Sequence, residues 1–309
     1  MANEFDVLVA GEINPDLILS KPGLKPRFGQ QEVLVETASL TIGSSSAIFA
    51  CGAARLGLRV AFIGVCGNDI FGKYMLDSMA ERGVDVHPVI IDPGQQTGLS
   101  VILNRGADRA ILTHKASIAA LRAEQVSDAW LARARHLHVA SYFLQTGLQA
   151  GLPDLFWRAR ILGLTTSLDP NWDPAGKWID LAQVLGLTTI FFPNEAEALA
   201  VSQTMEVDSA LLDLAVKVPV VAIKLGRRGA IAYSGNLLAR EAALSTQVAD
   251  TVGSGDSFDA GFIYGYLKGW SLEASLKLAV TCGSLSTRLI GGTAAQPSLE
   301  EAMQVAGLV

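Results

Sequence analysis

The sequence predicts an α/β fold: a doubly wound, mostly parallel sheet flanked by helices. Three observations carry that prediction. Apolar runs of roughly four to eight residues, such as Phe5–Ala10, show no polar alternation, as expected of strands buried on both faces. Ala- and Leu-rich stretches with helical spacing stand between them. Glycine, asparagine or aspartate follows most of the runs, where loops at strand ends would begin.

Taken in order, Phe5–Ala10 reads as a strand ended by Gly11, Ser44–Leu56 as a helix, Arg59–Val65 as a strand and Phe71–Arg82 as a helix. Further strands are expected at His136–Ala140, Thr165–Leu168, Thr189–Phe192 and Val220–Lys224, with helices between most of them. Gly163 and Gly186 read as helix ends. Two β-rich insertions break the rhythm. Residues 12–42 hold two short runs, Leu17–Leu19 and Glu32–Leu40, around a Pro/Gly/Lys loop, and residues 97–113 read as a hairpin around Arg105–Asp108. They would form a small sheet standing off the main body. No repeat, low-complexity tract or linker divides the chain, so residues 1–309 read as a single domain.

Composition narrows the function classes. Of 309 residues, 50% are hydrophobic and 17% charged, which excludes disorder and coiled coil. A net charge of −6 argues against a general affinity for nucleic acid or an anionic membrane. Cys51, Cys66 and Cys282 are widely spaced and form neither a disulfide ladder nor a metal knuckle. The first residues are acidic where a signal peptide would be basic, and no apolar run nears the ~20 residues of a membrane span. The expected setting is a reducing cytoplasm, with no nucleic-acid or membrane partner.

In open α/β sheets ligands bind beyond the carboxyl ends of the strands. That directs attention to Asn14–Asp16, Asp169–Asn171, Asn194–Glu197 and the segment after Lys224. The most informative segment is Asp250-Thr-Val-Gly-Ser-Gly-Asp256, preceded by a strand-like run and followed by an apolar helix holding Phe258, Phe262, Ile263 and Tyr266. Gly253-Ser254-Gly255 before a helix lets successive amides point into one concavity at the positive end of the helix dipole, an anion site. Asp256 beside it suits a general base that takes a proton from a hydroxyl attacking phosphorus. The plainer reading is a turn with Asp256 capping the helix.

These residues resemble the ribokinase-like, or PfkB-type, carbohydrate and nucleoside kinases. Asp250–Asp256 fits that family's C-terminal signature, Asp-Thr-x-Gly-[Ala/Ser]-Gly-Asp. In the family's order come Asn14-Pro-Asp16, the glycine signature from Gly43 to Gly57, Gly67-Asn-Asp-Ile-Phe-Gly72, Asn194-Glu-Ala-Glu197 and Lys224-Leu-Gly-Arg-Arg-Gly229. The resemblance implies an ATP-dependent kinase acting on a primary hydroxyl, with Asp256 as base and the amides of Gly253, Ser254 and Gly255 as anion hole. It implies Mg²⁺ held by Asn194 and Glu197 through water; read from the residues alone, the pair is a capping box at a helix start. ATP would lie against Asp169, Asn171, Lys224, Gly226 and Thr251, and the sugar against Asn14, Asp16, Gly43 and Ser44. A monovalent cation is left open. The two insertions would be a lid over the sugar, and in relatives the lid often serves as a dimer surface, which implies a homodimer.

Three positions depart from the family pattern. Ile48 stands where a sugar-binding asparagine is usual and cannot bond a hydroxyl. Asp173 replaces the cation of Asp-Pro-Asn-x-Arg, which favours a neutral sugar, although Arg27, Arg105, Arg109 and Lys115 near the lid could restore positive charge. Val280 replaces an asparagine of the nucleotide site. A nucleoside kinase or a catalytically silent sugar-binding or regulatory relative are the alternatives. The near-Walker run Gly67–Tyr74 lacks the magnesium-binding Ser/Thr and is rejected. His136 and His138 lack a third zinc ligand and read as core or surface residues, and the five tryptophans read as packing.

Overall fold

Strand residues buried on both faces account for the architecture of the computed structural model, which describes residues 3–105, 108–179 and 181–308. Its strands are β1 (Phe5–Ala10), β2 (Pro15–Ser20), β3 (Thr37–Ile42), β4 (Val60–Ile63), β5 (Val65–Gly67), β6 (Val84–Asp85), β7 (Ile90–Asp92), β8 (Leu99–Asn104), β9 (Arg109–His114), β10 (Ala134–Val139), β11 (Thr165–Leu168), β12 (Ile190–Phe191), β13 (Val220–Lys224), β14 (Ala230–Ser234) and β15 (Leu237–Glu241). The helices are α1 (Ser45–Arg55), α2 (Ile70–Ala80), α3 (Asp128–Leu131), α4 (Thr146–Gln149), α5 (Leu152–Ile161), α6 (Ala182–Leu185), α7 (Glu195–Ser202), α8 (Val207–Lys217), α9 (Ser254–Leu267), α10 (Leu272–Ser286) and α11 (Leu299–Ala306).

The main sheet runs β15-β14-β13-β12-β11-β10-β1-β4-β6. It is parallel from β13 to β6, and an antiparallel β13-β14-β15 meander forms its other edge. Successive side chains of β1 enter two different apolar clusters: Val7 and Val9 pack with Phe49, Phe62 and Phe262, while Leu8 and Ala10 pack with Leu137 and Phe156. A strand covered on both sides needs no polar face, which is why the sequence shows no alternation. His136 and His138 are fully buried in this sheet. His136 bonds Thr165 Oγ1 and Ser167 Oγ, each at 2.7 Å, and burial pushes its pKa down to about 3.

A second sheet, β3-β2-β8-β9, comes from the two insertions. The Glu32–Leu40 run becomes a strand only from Thr37, because pairing ends at Ser20↔Thr37 where β2 offers no further partner. The turn residues Gly106 and Ala107 of the expected hairpin lie outside the described residues. The run before Asp250 is not a strand. After β15 ends at Glu241 the chain lies along α10, where the Leu244 amide donates to Ser284 Oγ and the Ala249 amide to Thr287 O. Those partners take the place of a strand ladder. Trp157 and Trp172 are 54% and 60% exposed, against the expectation that every tryptophan packs inside. Among the described residues no helix is long and apolar enough to cross a membrane.

Candidate active site

The carboxyl ends of β1, β10, β11, β12 and β13 open toward the first turn of α9. Gly253 starts that helix in the left-handed region, φ 74°, and a Cβ there would lie 2.7 Å from Gly292 O and 2.9 Å from Ile48 Cγ2. Only glycine fits both constraints. The helix begins at Ser254, so Asp256 sits inside its first turn and is not the cap. Among the described residues the amides of Gly253, Gly255 and Asp256 donate to no protein acceptor. The Ser254 amide instead turns back to Thr251 O at 3.4 Å, and its hydroxyl does so at 3.0 Å. The expected donor ring therefore loses Ser254 to its own turn and gains the amide of Asp256. Asp250 shapes the loop by accepting the amides of Val252 and Gly291, each at 3.1 Å.

Asp256 is buried yet borders the open cleft. Burial pushes its carboxyl well above the usual range, Asp169 adds to the shift and Lys224 opposes it. Lys224 Nζ lies 2.6 Å from Asp169 Oδ2 and 3.3 Å from Asp259 Oδ1. Burial alone would lower the lysine pKa, but Asp169, Asp259 and Glu197 outweigh it and keep the ammonium charged. A Cβ at Gly255 would stand 3.4 Å from that ammonium, so the cation touches the glycine loop. Asp259 was missed by sequence reasoning. Its signal is its spacing, three residues beyond Asp256 on one helix face.

Asn194 and Glu197 form the capping box at the start of α7. Asn194 Oδ1 accepts the Glu197 amide at 3.0 Å, and Glu197 Oε2 accepts the Asn194 amide at 2.8 Å. Glu197 Oε1 has no hydrogen-bond partner among the described residues, and the side chain lines the cleft shared with Asp256. Burial, aided by Asp169, pushes this carboxyl up to about 7. One uncommitted oxygen on a buried acid suits a cation held through water, so the residues fit Mg²⁺ in that mode.

Asp16, Asn14, Gly43 and Ser44 come together at the base of the small sheet. A side chain at Gly43 would collide with the Asp16 carboxyl, so the glycine is required by Asp16 itself. Asn14 Nδ2 donates to Asp16 Oδ1 at 3.4 Å. Ser44 also lines the cleft, and its hydroxyl donates to Glu12 O at 2.7 Å and accepts the Ala47 amide at 3.0 Å as the cap of α1. Burial pushes Asp16 up to about 7, with Arg109 pulling the other way. Asn171 Oδ1 accepts the Ser141 amide at 2.7 Å and its Nδ2 donates to Ser45 Oγ at 3.1 Å, tying the loop after β11 to α1. Sequence reasoning also missed Glu12, which accepts from Ser46 and Ser141 and lines the same cleft. Its position directly after β1, at a carboxyl strand end, was the available signal.

A cavity of about 1000 Å³ runs from Asp16 to Asp256 and includes Asp169, Asn171, Asn194, Glu197 and Lys224. A second, of about 940 Å³, is lined by Gly226, Leu244, Thr251, Phe258 and Val280. The two share Lys224, Gly226, Thr251, Ser254 and Gly255. Two clefts that meet at a glycine loop with an acid and a fixed cation define a site built for transfer between two bound molecules.

Comparison with known proteins agrees with that geometry. Residues 4–299 match the pfkB family carbohydrate kinase model. The chain is 31% identical over 287 residues to a 2-dehydro-3-deoxygluconokinase of Bacillus subtilis, covering 86% of this chain and 87% of that one. It is 26% identical to a ribokinase of Haemophilus influenzae, covering 96% of each. A protein from E. coli described as a ribokinase II, solved in complex with ATP and Mg²⁺, superposes with a TM-score of 0.86 at 25% identity over 99% of this chain and all of that one. The protein is thus a carbohydrate kinase of ribokinase-like fold. The chain belongs to the pfkB family.

Proposed function

We propose that the protein transfers the γ-phosphoryl group of ATP to a primary hydroxyl of a neutral sugar. The observation that carries this reading is the meeting of the two clefts at Gly255, with Asp256 and Lys224 on either side of the loop. Asp256 takes the proton of the attacking hydroxyl, a role suited to a buried carboxyl whose proton affinity is raised. The free amides of Gly253, Gly255 and Asp256 receive the developing charge on the phosphoryl oxygens. Lys224, with Asp169 behind it, faces the phosphates, and Gly226, Thr251 and Asn171 border them. Mg²⁺, held at Glu197 and Asn194 through water, would supply charge neutralisation on the phosphate oxygens when bound.

On the sugar side, Asp16 accepts from hydroxyls, held by Asn14 and given room by Gly43. A neutral acceptor is favoured because Glu12, Asp16 and Asp256 make the cleft acidic. Arg109 lines the same cleft and offsets this in part, its charge shared with Asp250 at 3.6 Å. Asp173 bears on the matter differently from its sequence reading: it lines the cleft, but its carboxylate is already occupied by the amides of Ala175, Lys177 and Trp178. The whole chain acts as one kinase domain with the β3-β2-β8-β9 sheet as its lid.

That sheet supports a homodimer. Leu17 pairs with Leu40 and Val101, and Val101 with Leu112, so one face is apolar opposite the face that carries Asp16 and Ser100. A second copy of the chain would cover Leu40 and Leu112, now 39% and 59% exposed. A nucleoside kinase is the second reading, favoured by Phe143 and Trp172 in the cleft wall. ADP formation measured across pentoses, hexoses and nucleosides separates the readings. Sugar-stimulated turnover supports the first, nucleoside-stimulated turnover the second, and binding of one of them without turnover a silent relative.

A further inference from the structure

Trp172 stands apart from the other exposed tryptophan. Trp157 lies on the outside of α5, as scattered surface apolar residues do, and borders neither large cavity. Trp172 is 60% exposed inside the wall of the cleft that holds Asp16 and Asp256. Behind it an aromatic ladder continues. Trp172 meets Trp178 edge to face with centroids 5.3 Å apart, and Trp178 meets Phe143 in the same way at 5.3 Å. Phe143 also lines the cleft.

The loop that carries this ladder is tied down along its length. The Asn171 amide donates to Asp169 Oδ1 at 3.1 Å, and Asn171 Oδ1 accepts the Ser141 amide. Asp173 gathers three amides at 2.7 to 2.8 Å. Asn171 and Trp178 both adopt positive φ, 51° and 53°. For a residue as bulky as tryptophan that is an outlier, and it persists only because the surrounding bonds over-determine it. A large apolar ring, braced on one edge by Trp178, is therefore left exposed in the wall of a binding cleft.

We propose that Trp172 is a specificity-determining residue: its indole stacks on a flat, weakly polar face of the acceptor substrate, with Trp178 and Phe143 fixing the ring. The chemistry recognised is an apolar planar face, supplied either by the C–H side of the sugar ring or by a planar group attached to it. The inference rests on the kinase reading for its location in the acceptor half of the cleft. Its tests can fail separately from that reading.

The experiment compares Trp172→Ala, Trp172→Phe and the unaltered protein with ribose, fructose, glucose, adenosine and cytidine, reading turnover and tryptophan fluorescence. For each acceptor used, Trp172→Ala should raise KM about tenfold to a hundredfold while the KM for ATP stays within about twofold. Trp172→Phe should recover most of the loss. A loss seen with the bare sugars assigns the face to the sugar ring, and a loss confined to the nucleosides assigns it to the planar group. Should no acceptor be phosphorylated, the kinase reading falls, yet a fluorescence change on binding that disappears in Trp172→Phe would still support stacking. Unchanged KM in Trp172→Ala overturns the proposal, as does the lack of any Trp172-dependent fluorescence change where nothing turns over.

Discussion

The two ends of the long cleft are built differently. At the phosphoryl end, Asp169, Asp256 and Asp259 are buried around the half-buried Lys224, and carboxylate oxygens of the three acids lie within 4.8 Å of one another. At the acceptor end, Asp16 sits on a four-stranded sheet whose edge strand β9 is exposed along its whole length. The first end is fixed by core packing and by the ion pairs of Lys224 with Asp169 and Asp259. The second is laddered backbone to backbone on both sides of β2, but its side-chain contacts are long, Asn14 to Asp16 at 3.4 Å and Arg109 to Asp250 at 3.6 Å. Chemistry common to a kinase family belongs at the rigid end, and substrate choice belongs where the structure can move.

Substitutions at the rigid end should therefore act on turnover, and those at the other end on affinity. Asp256→Asn should lower turnover by at least ~10²-fold while ATP still binds in a calorimeter. Near-normal turnover would remove the base from the rigid end. Gly253→Ala places a methyl against Gly292 and Ile48 at positive φ, so turnover should fall by about tenfold or more with the sugar KM little changed. Asp259→Leu should cost about tenfold in turnover by loosening Lys224, and Asp259→Asn, which can still bond, should cost less.

At the acceptor end the contrast can be read from pH. Burial raises the Asp16 carboxyl from 3.8 to about 7, so folding favours its protonated form. The stability this gives is complete below pH 3.8 and is lost as pH rises through about 7. Sugar binding wants the ionised acceptor, so the sugar KM should climb as pH falls below about 7, and Asp16→Asn should flatten that limb. The smallest effect on catalysis is expected on the outer face of the small sheet. If the proposed homodimer forms, Leu112→Asp should split it in sedimentation and leave turnover within about twofold. A monomeric unaltered protein would dismiss the surface.

Much of the site was legible in the sequence because it lies in short segments whose spacing survives folding. Gly253, Gly255 and Asp256 are close in sequence, and so are Asn194 and Glu197, although the latter pair turned out to cap a helix as well as face the cleft. Ser44 likewise serves a helix cap as well as lining the cleft. Asp259 and Glu12 carried only a weak signal of spacing or strand end, and the Trp172 ladder carried none, since what matters about them is which residues the fold brings against them.

Alone, the order of residues determined the strands, the helices and the glycine turn, because backbone propensity and burial periodicity act over a few neighbours. Tertiary structure decided which charges are neutralised. It set Lys224 between Asp169 and Asp259 and gave Arg109 to Asp250. Those pairings join residues far apart in the chain, and their strength comes from a shared loss of water that no local pattern records.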